Sequence, residues 1–307
     1  MPFAIQFDSY GSADVLQLRD VPDAPPGPGE VMVAVVAAGL NPGEIAIREG
    51  AMAEAFPTTF PSGEGTDFAG TVTMVGAGVT DVRVGEDVIG MSDDRSAQAQ
   101  NVTLAADHVV LKPEALEWEQ AGALAVSATT AQACVDAVDL RPGDVVVVAG
   151  AAGGVGIVAA QLARLRGATV YGTASEANAD ELLRLGIHPV LYGEGMTDRL
   201  PAHIDAFIDC HGRGNVAAAI AKGVRPERVN TIIDFDAVEQ YGVKSDGQAS
   251  VTDHRAAIAN VAELIASGQL ELPIRRKYAF DQFRDAYAQL AHGHGLGKVV
   301  LWLGVSD

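Results

Sequence analysis

The sequence has few basic residues: 21 lysines and arginines stand against 40 aspartates and glutamates, which gives the 307-residue chain a formal net charge of −19 at pH 7. A surface this acidic repels nucleic-acid phosphates and anionic membranes, so neither is expected as a partner. No apolar run is long enough for a membrane-spanning helix, and the first stretch, MPFAIQFDSYGSADVLQL, carries acids where a targeting peptide would carry bases. We therefore expect a soluble cytoplasmic protein.

Cysteine is also scarce, with Cys134 and Cys210 as the two examples. Two cysteines cannot build a disulfide scaffold, so we expect two buried thiols in a reducing compartment. The chain also lacks the Gly-x-Ser-x-Gly sequence of a hydrolase nucleophile elbow, which argues against hydrolysis.

The pattern of apolar residues changes near Trp118. Up to about residue 110, short segments such as EVMVAVVAAGL and FAGTVTMVGAG are bounded by Gly, Pro or Asp, which is typical of a small β-rich, barrel-like domain. Beyond Trp118, apolar strands such as VVVVAG and DAFIDC alternate with helical segments such as GIVAAQLARLRG. That alternation indicates βαβ units around a parallel sheet. We predict an α/β chain with two domains.

A glycine-rich loop lies between one such strand and its helix, in VVVVAGAAGGVGIVAAQLARLRG. Its glycines follow the spacing Gly150-x-x-Gly153-x-x-Gly156, with Gly154 added. Glycines at this spacing allow a sharp turn, a close approach to a pyrophosphate, and tight packing of helix on strand. Because a strand precedes the loop and a helix and second strand follow it, we interpret it as a dinucleotide-binding loop rather than a purely structural turn.

The end of the second strand bears on which dinucleotide binds. An acidic residue there would bind the ribose 2′-hydroxyl of NAD. The chain has Thr173 and Ser175, with Glu176 one residue later, and small hydroxyl residues leave room for a 2′-phosphate. No lysine or arginine lies between Ser175 and Asp180, and Arg184 and Arg213 are more distant candidates for a positive partner. We favour NADP (NADPH), with NAD as the alternative.

A set of motifs in order along the chain resembles the zinc-independent quinone oxidoreductases of the medium-chain dehydrogenase/reductase superfamily. The motifs are GLNPGEIAIREG, GTDFAGTV, VGEDVIG, TTAQACVDAVDLRPGDVVVVAGAAGGVG, IDAFIDCHG, LIASGQLELPI and GLGKVVL. The resemblance implies a GroES-like β-rich domain plus a Rossmann domain with a doubly wound parallel sheet, and an active site in the cleft between them. The GroES-like domain would cover residues 1–115, joined by the C-terminal segment 273–307, and the Rossmann NADP-binding domain would cover residues 116–272.

The resemblance also implies site residues. Asn41 and Thr130 would act as the catalytic pair beside the nicotinamide and its ribose. Glu44 stands where the family usually has aspartate. Together with these three, the residues expected to bind the cofactor are Ala151, Gly153, Gly154, Val155, Thr173, Ser175, Tyr192, Gly212, Phe235, Gly297 and Lys298.

Relatives in this family commonly dimerise through the edges of their Rossmann sheets. The segment VNTIID, within VNTIIDFDAVEQYGV, supplies a candidate edge strand, so we expect a homodimer. We expect no metal site, because neither cysteine lies in the N-terminal domain and zinc sites in related alcohol dehydrogenases need sets of cysteine with histidine or glutamate.

Without a Lewis acid, the simplest chemistry is hydride transfer to an acceptor that is already polarised. The leading hypothesis is therefore an NADPH-dependent, zinc-independent reductase of a small-molecule quinone or of the activated C=C bond of an enone. A second hypothesis is an enoyl-thioester or biosynthetic tailoring reductase on the same scaffold. A third, of another class, is an NADPH-binding sensor or structural protein with little turnover.

Overall fold

The computed structural model describes residues 2–293 and 295–304; Met1 and the last three residues of the segment 273–307 lie outside this range, as does residue 294. Its strands are β1 (Phe3–Phe7), β2 (Gln17–Asp20), β3 (Glu30–Gly39), β4 (Ser62–Gly63), β5 (Asp67–Val75), β6 (Asp87–Met91), β7 (Asn101–Ala105), β8 (Val109–Leu111), β9 (Val145–Ala149), β10 (Thr169–Ala174), β11 (His188–Leu191), β12 (Ala206–Asp209), β13 (Val229–Thr231), β14 (Ile274–Ala279) and β15 (Lys298–Trp302). Its α-helices are α1 (Pro42–Arg48), α2 (Trp118–Ala121), α3 (Ala125–Ala137), α4 (Gly154–Leu165), α5 (Ala179–Arg184), α6 (Met196–Arg199), α7 (Asn215–Ala221), α8 (Phe235–Tyr241), α9 (His254–Ala266) and α10 (Phe283–Ala291).

The N-terminal part is built around the long strand β3. β3 pairs antiparallel with β5 and with β7, and the sheet runs in the order β14-β15-β3-β5-β6-β8 with β7 beside β3. Its alternating apolar residues, among them Val31, Val33 and Phe68, pack into one buried cluster. The smaller sheet β2-β1-β4 lies beside it. Seven of the ten residues of β3 are buried, so this strand lies at the centre of the first half of the chain.

The second half is a parallel sheet in the order β11-β10-β9-β12-β13. Successive residues of the central strand β9 point to opposite faces: Val146 and Val148 pack with α3 and α4, whereas Val147 and Ala149 pack with residues of α7 and α8. Helices thus cover both faces, which explains why the strand reads as an unbroken apolar run. β9 has β10 on one side and β12 on the other, so the order in which strands are added to the sheet reverses at β9. Such a reversal creates a crevice at the carboxyl end of the central strand.

The C-terminal segment returns to the first half of the chain. β15 pairs antiparallel with β3, with Val300 opposite Gly39 and Trp302 opposite Ala37, and β14 pairs parallel with β15. Just before β15, Gly297 forms a bridge with Gly153 of the glycine-rich loop. The beginning of β15 is therefore fixed against both halves of the molecule.

The segment VNTIID contains the last strand of the parallel sheet, as the sequence pattern predicts. β13 comprises only Val229–Thr231, and all three residues are buried. The chain beyond α8 covers it: Asn230 forms a bridge with Lys244, and its side chain bonds the backbone nitrogen and oxygen of Asp246 at 2.7 and 2.9 Å. Residues 244–246 thus cover part of the outer edge of the sheet, which the sequence pattern alone did not indicate. No helix in the described ranges is long and apolar enough to cross a membrane.

Candidate active site

A buried polar centre lies where β3, β5 and β15 meet. The Lys298 ammonium donates to Asn41 Oδ1 at 2.6 Å and to Asp67 Oδ2 at 3.1 Å. Asn41 in turn donates from Nδ2 to the same Asp67 oxygen at 3.2 Å. Lys298 is 4% exposed and Asp67 is fully buried. The ammonium and the carboxylate neutralise each other there, which is the condition for burying either charge.

Local structure explains why these three side chains converge. Asn41 follows β3 and caps α1, whose first residue is Pro42, a residue suited to that position because its fixed φ and missing N–H cost nothing there. Asp67 begins β5 and lies opposite Gly39, the last residue of β3. Its second oxygen accepts a hydrogen bond from the backbone nitrogen of Val126, near the start of α3, at 2.7 Å. One aspartate therefore ties the first half of the chain to the second.

Glu44 lies one helical turn beyond Asn41 and is 4% exposed. Its carboxylate accepts from the backbone and side-chain nitrogens of Asn41 at 3.1 Å each and from the backbone nitrogen of Thr66 at 3.1 Å. The Tyr287 hydroxyl of α10 donates the fourth hydrogen bond at 2.8 Å. Because two of these four hydrogen bonds come from Asn41 and the other two hold the Glu44 carboxylate in place, Glu44 fixes the position of Asn41. Burial raises the pKa of this carboxyl, and its hydrogen bonds oppose the shift.

Behind Glu44 lies a second set of buried charges. Arg48 is 1% exposed and pairs with Glu64, which is 2% exposed, at 2.6 Å. The Arg48 guanidinium also lies 4.5 Å from the centre of the Tyr287 ring, and Gln98 donates to the Tyr287 hydroxyl at 2.7 Å. Burial raises the pKa of Glu64 from 4.5 to about 7, with Arg48 opposing and the neighbouring Glu44 adding to the shift. The Arg48–Glu64 pair thus lies close to a second buried carboxyl, and the repulsion between the two carboxyls favours keeping Glu64 protonated.

The glycine-rich loop has the shape that its sequence predicts. A Cβ on Gly156 would lie 2.2 Å from the Gly150 carbonyl oxygen, so the helix packs on the turn at a distance that only glycine allows. A Cβ on Gly154 would lie 2.5 Å from Cδ of Lys298. Gly153 precedes α4, so the loop leads directly to the first-turn amides of a twelve-residue helix. Such amides, together with the helix dipole, form an anion-binding position.

The predicted residues on the carboxyl edge of the parallel sheet lie on successive strand ends. Thr173 accepts a hydrogen bond from the Gly150 nitrogen at 2.9 Å, and Ser175 follows β10 directly. Tyr192 follows β11, and its backbone nitrogen bonds the Ala174 oxygen at 3.2 Å. Gly212 has a φ of +75° and donates to the buried Asp209 carboxylate at 2.9 Å.

The remaining predicted residues fall into two groups. Asn41 forms hydrogen bonds with both Lys298 and Glu44. Gly154 packs against the Lys298 side chain, and Gly153 forms a bridge with Gly297. The same loop and the helix that follows it contain Ala151 and Val155. Thr130 is buried on α3, whereas Phe235, the first residue of α8, is 53% exposed and forms no hydrogen bond with the polar centre among the described residues.

Four participants were missed in the sequence: Asp67, Glu64, Arg48 and Tyr287. Asp67 had a detectable signal, because GTDFAGTV places an acidic residue at the head of an apolar strand, where an unpaired charge would be costly. The other three become part of the site only through tertiary packing. Tyr287 is 243 positions from Glu44 along the chain.

Comparison with known proteins agrees with this architecture. The family profile of the alcohol dehydrogenase GroES-like domain matches residues 27–139, and that of the zinc-binding dehydrogenase domain matches residues 185–301. The chain belongs to the medium-chain dehydrogenase/reductase superfamily. The predicted family and the predicted α/β fold, with its GroES-like and Rossmann parts, are thus confirmed.

Individual members of the superfamily resemble the chain over almost all of its length. A 2-methylene-furan-3-one reductase of Solanum lycopersicum is 29% identical over 97% of this chain and 78% of its own. The structure of the quinone oxidoreductase of Coxiella burnetii is 28% identical with a TM-score of 0.89, covering 99% of both chains. The Escherichia coli quinone oxidoreductase complexed with NADPH is 25% identical with a TM-score of 0.86, covering 98% of this chain and 99% of that one. The chain spans about half the length of several other curated relatives that it matches.

Proposed function

We propose that this protein is an NADPH-dependent oxidoreductase that transfers hydride to a quinone or to the activated C=C bond of an enone. Similarity to proteins named quinone oxidoreductase and 2-methylene-furan-3-one reductase supports the reaction class. The observation that carries the proposal is the position of Lys298, which bonds Asn41 and Asp67 in the first half of the chain while its stem lies on Gly154 of the dinucleotide loop. A reactive centre is thereby held beside a phosphate-binding turn.

The residues present fit a dinucleotide on two further counts. The close packing of Gly156 on the Gly150 carbonyl keeps the loop free of side chains where a pyrophosphate would approach. The Ser127 hydroxyl on α3 is fully buried beside Gly154 and has no hydrogen-bond partner among the described residues, which suits a site that a ligand completes. The loop from Ala151 to Val155 would hold the pyrophosphate, and the strand ends that carry Thr173, Ser175 and Tyr192 would hold the adenosine half.

Bound NADPH supplies the hydride, and the protein supplies orientation and shelter from water. Both hydrogens of the Asn41 amide are already donated, to Glu44 and to Asp67, and its oxygen accepts from Lys298. What remains open on Asn41 is the second lone pair of that oxygen. Asn41 therefore acts as an acceptor for a hydroxyl such as that of the nicotinamide ribose, rather than as a donor to the substrate oxygen. Thr130 supports the same end of the cofactor.

The proposal includes catalysis without zinc. The cation at the polar centre is the Lys298 ammonium, and Cys134 and Cys210 belong to α3 and to the end of β12 rather than to this centre. Quinones and enones need no metal to be electrophilic, because their own carbonyl groups polarise the carbon that accepts hydride. The proton that completes the reduction comes from solvent.

The test follows loss of reduced-nicotinamide absorbance when the purified protein is mixed with NADPH, or with NADH, and then with a soluble benzoquinone or a cyclic enone. We expect faster consumption of NADPH, with the preferred acceptor distinguishing quinone from enone reduction. Asn41→Ala should slow turnover about tenfold or more, because orientation is lost. Asn260→Ala, an exposed position on α9, is the matched control and should leave the rate unchanged.

Other results would redirect the assignment. Preference for NADH would contradict the cofactor proposed here, and turnover of an enoyl thioester in place of both acceptors would favour the tailoring reductase. Tight NADPH binding without oxidation by any acceptor would favour a sensor or structural role.

We further propose a cytoplasmic homodimer formed along the outer edge of the Rossmann sheet. β13 and the residues 244–246 that cover part of it form that edge, and the half-exposed Ile233 and Phe235 follow β13 nearby. Light scattering should give twice the mass of one chain, whereas a mass of one chain at all concentrations would contradict the dimer.

A further inference from the structure

The proposed NADPH site needs a cation that the local sequence does not supply. A 2′-phosphate is recognised most strongly by guanidinium or ammonium groups that make charge-assisted hydrogen bonds. From Ser175 to Asp180 the chain reads Ser-Glu-Ala-Asn-Ala-Asp, with no basic residue. The inference below rests on the proposed function and identifies the residue that fills this role.

The strand pairing brings one arginine to this position. Ala174, the residue before Ser175, is paired with Leu191 at the carboxyl ends of the neighbouring strands β10 and β11. Arg199, the last residue of α6, donates from Nε to the Leu191 carbonyl oxygen at 3.0 Å. Adjacent strands lie about 4.8 Å apart. The guanidinium is therefore anchored at the end of the strand next to the one that leads to Ser175.

The loop before α6 leaves room for this guanidinium. Gly195 has a φ of +71°, and a Cβ there would lie 3.3 Å from Nη1 of Arg199. A side chain at position 195 would thus be both strained and crowded against the arginine. Arg199 is exposed, and within the described part of the chain no carboxylate oxygen comes within 4.0 Å of its guanidinium. Its charge is held in place by one backbone contact and is not neutralised by the protein.

The two arginines suggested by the sequence fit less well. Arg184 is already paired with Glu181 and with Glu271, each at 2.6 Å. Arg213 follows β12, and β9 lies between β12 and β10 in the sheet. Arg213 is therefore about two strand spacings from the end of β10, whereas Arg199 is anchored one spacing away.

We propose that Arg199 binds the 2′-phosphate of NADP(H) and, with Ser175, determines the preference for NADP(H) over NAD(H). Glu176, one residue beyond Ser175, opposes this preference, because a carboxylate repels a 2′-phosphate and accepts a hydrogen bond from a free 2′-hydroxyl. Arg199 outweighs Glu176 by placing a fixed guanidinium at the neighbouring strand end.

Calorimetric titration of the full chain with NADP⁺, NAD⁺ and adenosine 2′,5′-bisphosphate tests the proposal without turnover. Arg199→Gln should weaken NADP⁺ and the bisphosphate about tenfold or more, as expected for loss of a charge-assisted hydrogen bond, and should change NAD⁺ binding less than about twofold. Arg199→Lys should lie in between. Arg213→Gln tests the rival residue. Arg225 precedes β13 at the opposite edge of the sheet, so Arg225→Gln is the control.

The outcomes separate the two proposals. A wild-type preference for NADP⁺ that survives Arg199→Gln refutes the role of Arg199 and leaves the cofactor assignment intact; a selective loss in Arg213→Gln would then assign the phosphate to Arg213. Equal weakening of NADP⁺ and NAD⁺ by Arg199→Gln would also refute the role, because it indicates a structural effect. A wild-type preference for NAD⁺ refutes both proposals.

Discussion

Replacing Glu64 with glutamine should flatten the pH dependence of the protein's stability between about pH 5 and pH 8. Glu64 is 2% exposed, its pKa is raised from 4.5 to about 7, and it pairs with Arg48 close to the buried Glu44. The folded chain therefore holds a proton on this cluster in a range where the unfolded chain releases it. Because the folded state binds more protons than the unfolded state there, the free energy of unfolding falls as the pH rises from about 5 to about 7 and levels off above that.

The size of the effect follows from the two pKa values. Each pKa unit corresponds to about 1.4 kcal/mol, so a change from 4.5 to about 7 makes the wild-type protein less stable by about 3 kcal/mol at pH 8 than at pH 5. Burial raises the pKa of Glu44 as well, which acts in the same direction. Carboxyls with lowered pKa values, such as Glu119 and Asp205, lose their contribution only at more acidic pH, outside this window.

Urea denaturation at several pH values between these limits measures the effect. Glu64→Gln keeps an oxygen that can accept from Arg48 but cannot titrate, so the stability of this variant should vary much less with pH. Glu239→Gln, an exposed position on α8, should follow the wild type. The reasoning would be refuted by wild-type stability that stays level or rises from pH 5 to 8, or by a difference between Glu64→Gln and wild type that does not change with pH.

Three further substitutions test the geometry of the site. Lys298→Met leaves the buried Asp67 carboxylate without its ion-pair partner and should lower the free energy of unfolding by about 3–5 kcal/mol. Adding Asp67→Asn to the same chain should restore part of that loss. Urea titrations of the single and double variants test this, and strictly additive losses would contradict the pairing. Gly156→Ala forces a Cβ to 2.2 Å from a backbone oxygen and should lower the free energy of unfolding by about 1–3 kcal/mol. The control Gly247→Ala, whose Cβ would lie 3.8 Å from its nearest neighbour, should lower it less. Thermal unfolding compares the two variants, and equal losses of stability would argue against the tight loop. Tyr287→Phe removes the donor to Glu44 and the acceptor of Gln98 and should cost about 1–3 kcal/mol of stability, while unchanged thermal unfolding would show that these bonds contribute nothing.

The parts of the fold that were predictable have local signals. The run Val145–Ala149, the glycines after it and the helical pattern of α4 are contiguous, and their periodicity and turn chemistry reflect the same local geometry that the structure has. VNTIID was correctly predicted as an edge strand, but the residues that cover it were not predicted, because burial at an edge depends on distant parts of the chain. The cover, Lys244 and its neighbours, carries no strand pattern of its own and is held by one bridge and the Asn230 side chain.

The site was predictable only in part for a related reason. Motifs identified Asn41, the glycine loop and Lys298, each within a short recognisable segment. The hydrogen bond from Lys298 to Asp67 joins residues 231 positions apart, and Arg199, which bonds the end of β11, lies near Ser175 only because β11 pairs with β10. Charge pairs and ligand contacts of this kind are fixed by tertiary structure, and the spacing of residues in one sequence does not encode them.

The most direct test of the central claim uses NADPH that carries deuterium at the nicotinamide carbon that donates hydride. The protein is incubated with this cofactor and a cyclic enone, and the product is analysed by mass spectrometry and NMR. Direct hydride transfer predicts one deuterium at the β-carbon of the saturated ketone, formed in proportion to the NADPH consumed and lost in Asn41→Ala. Saturated product without deuterium at that carbon, or no product although NADPH binds, would contradict the assignment of this protein as a hydride-transferring reductase.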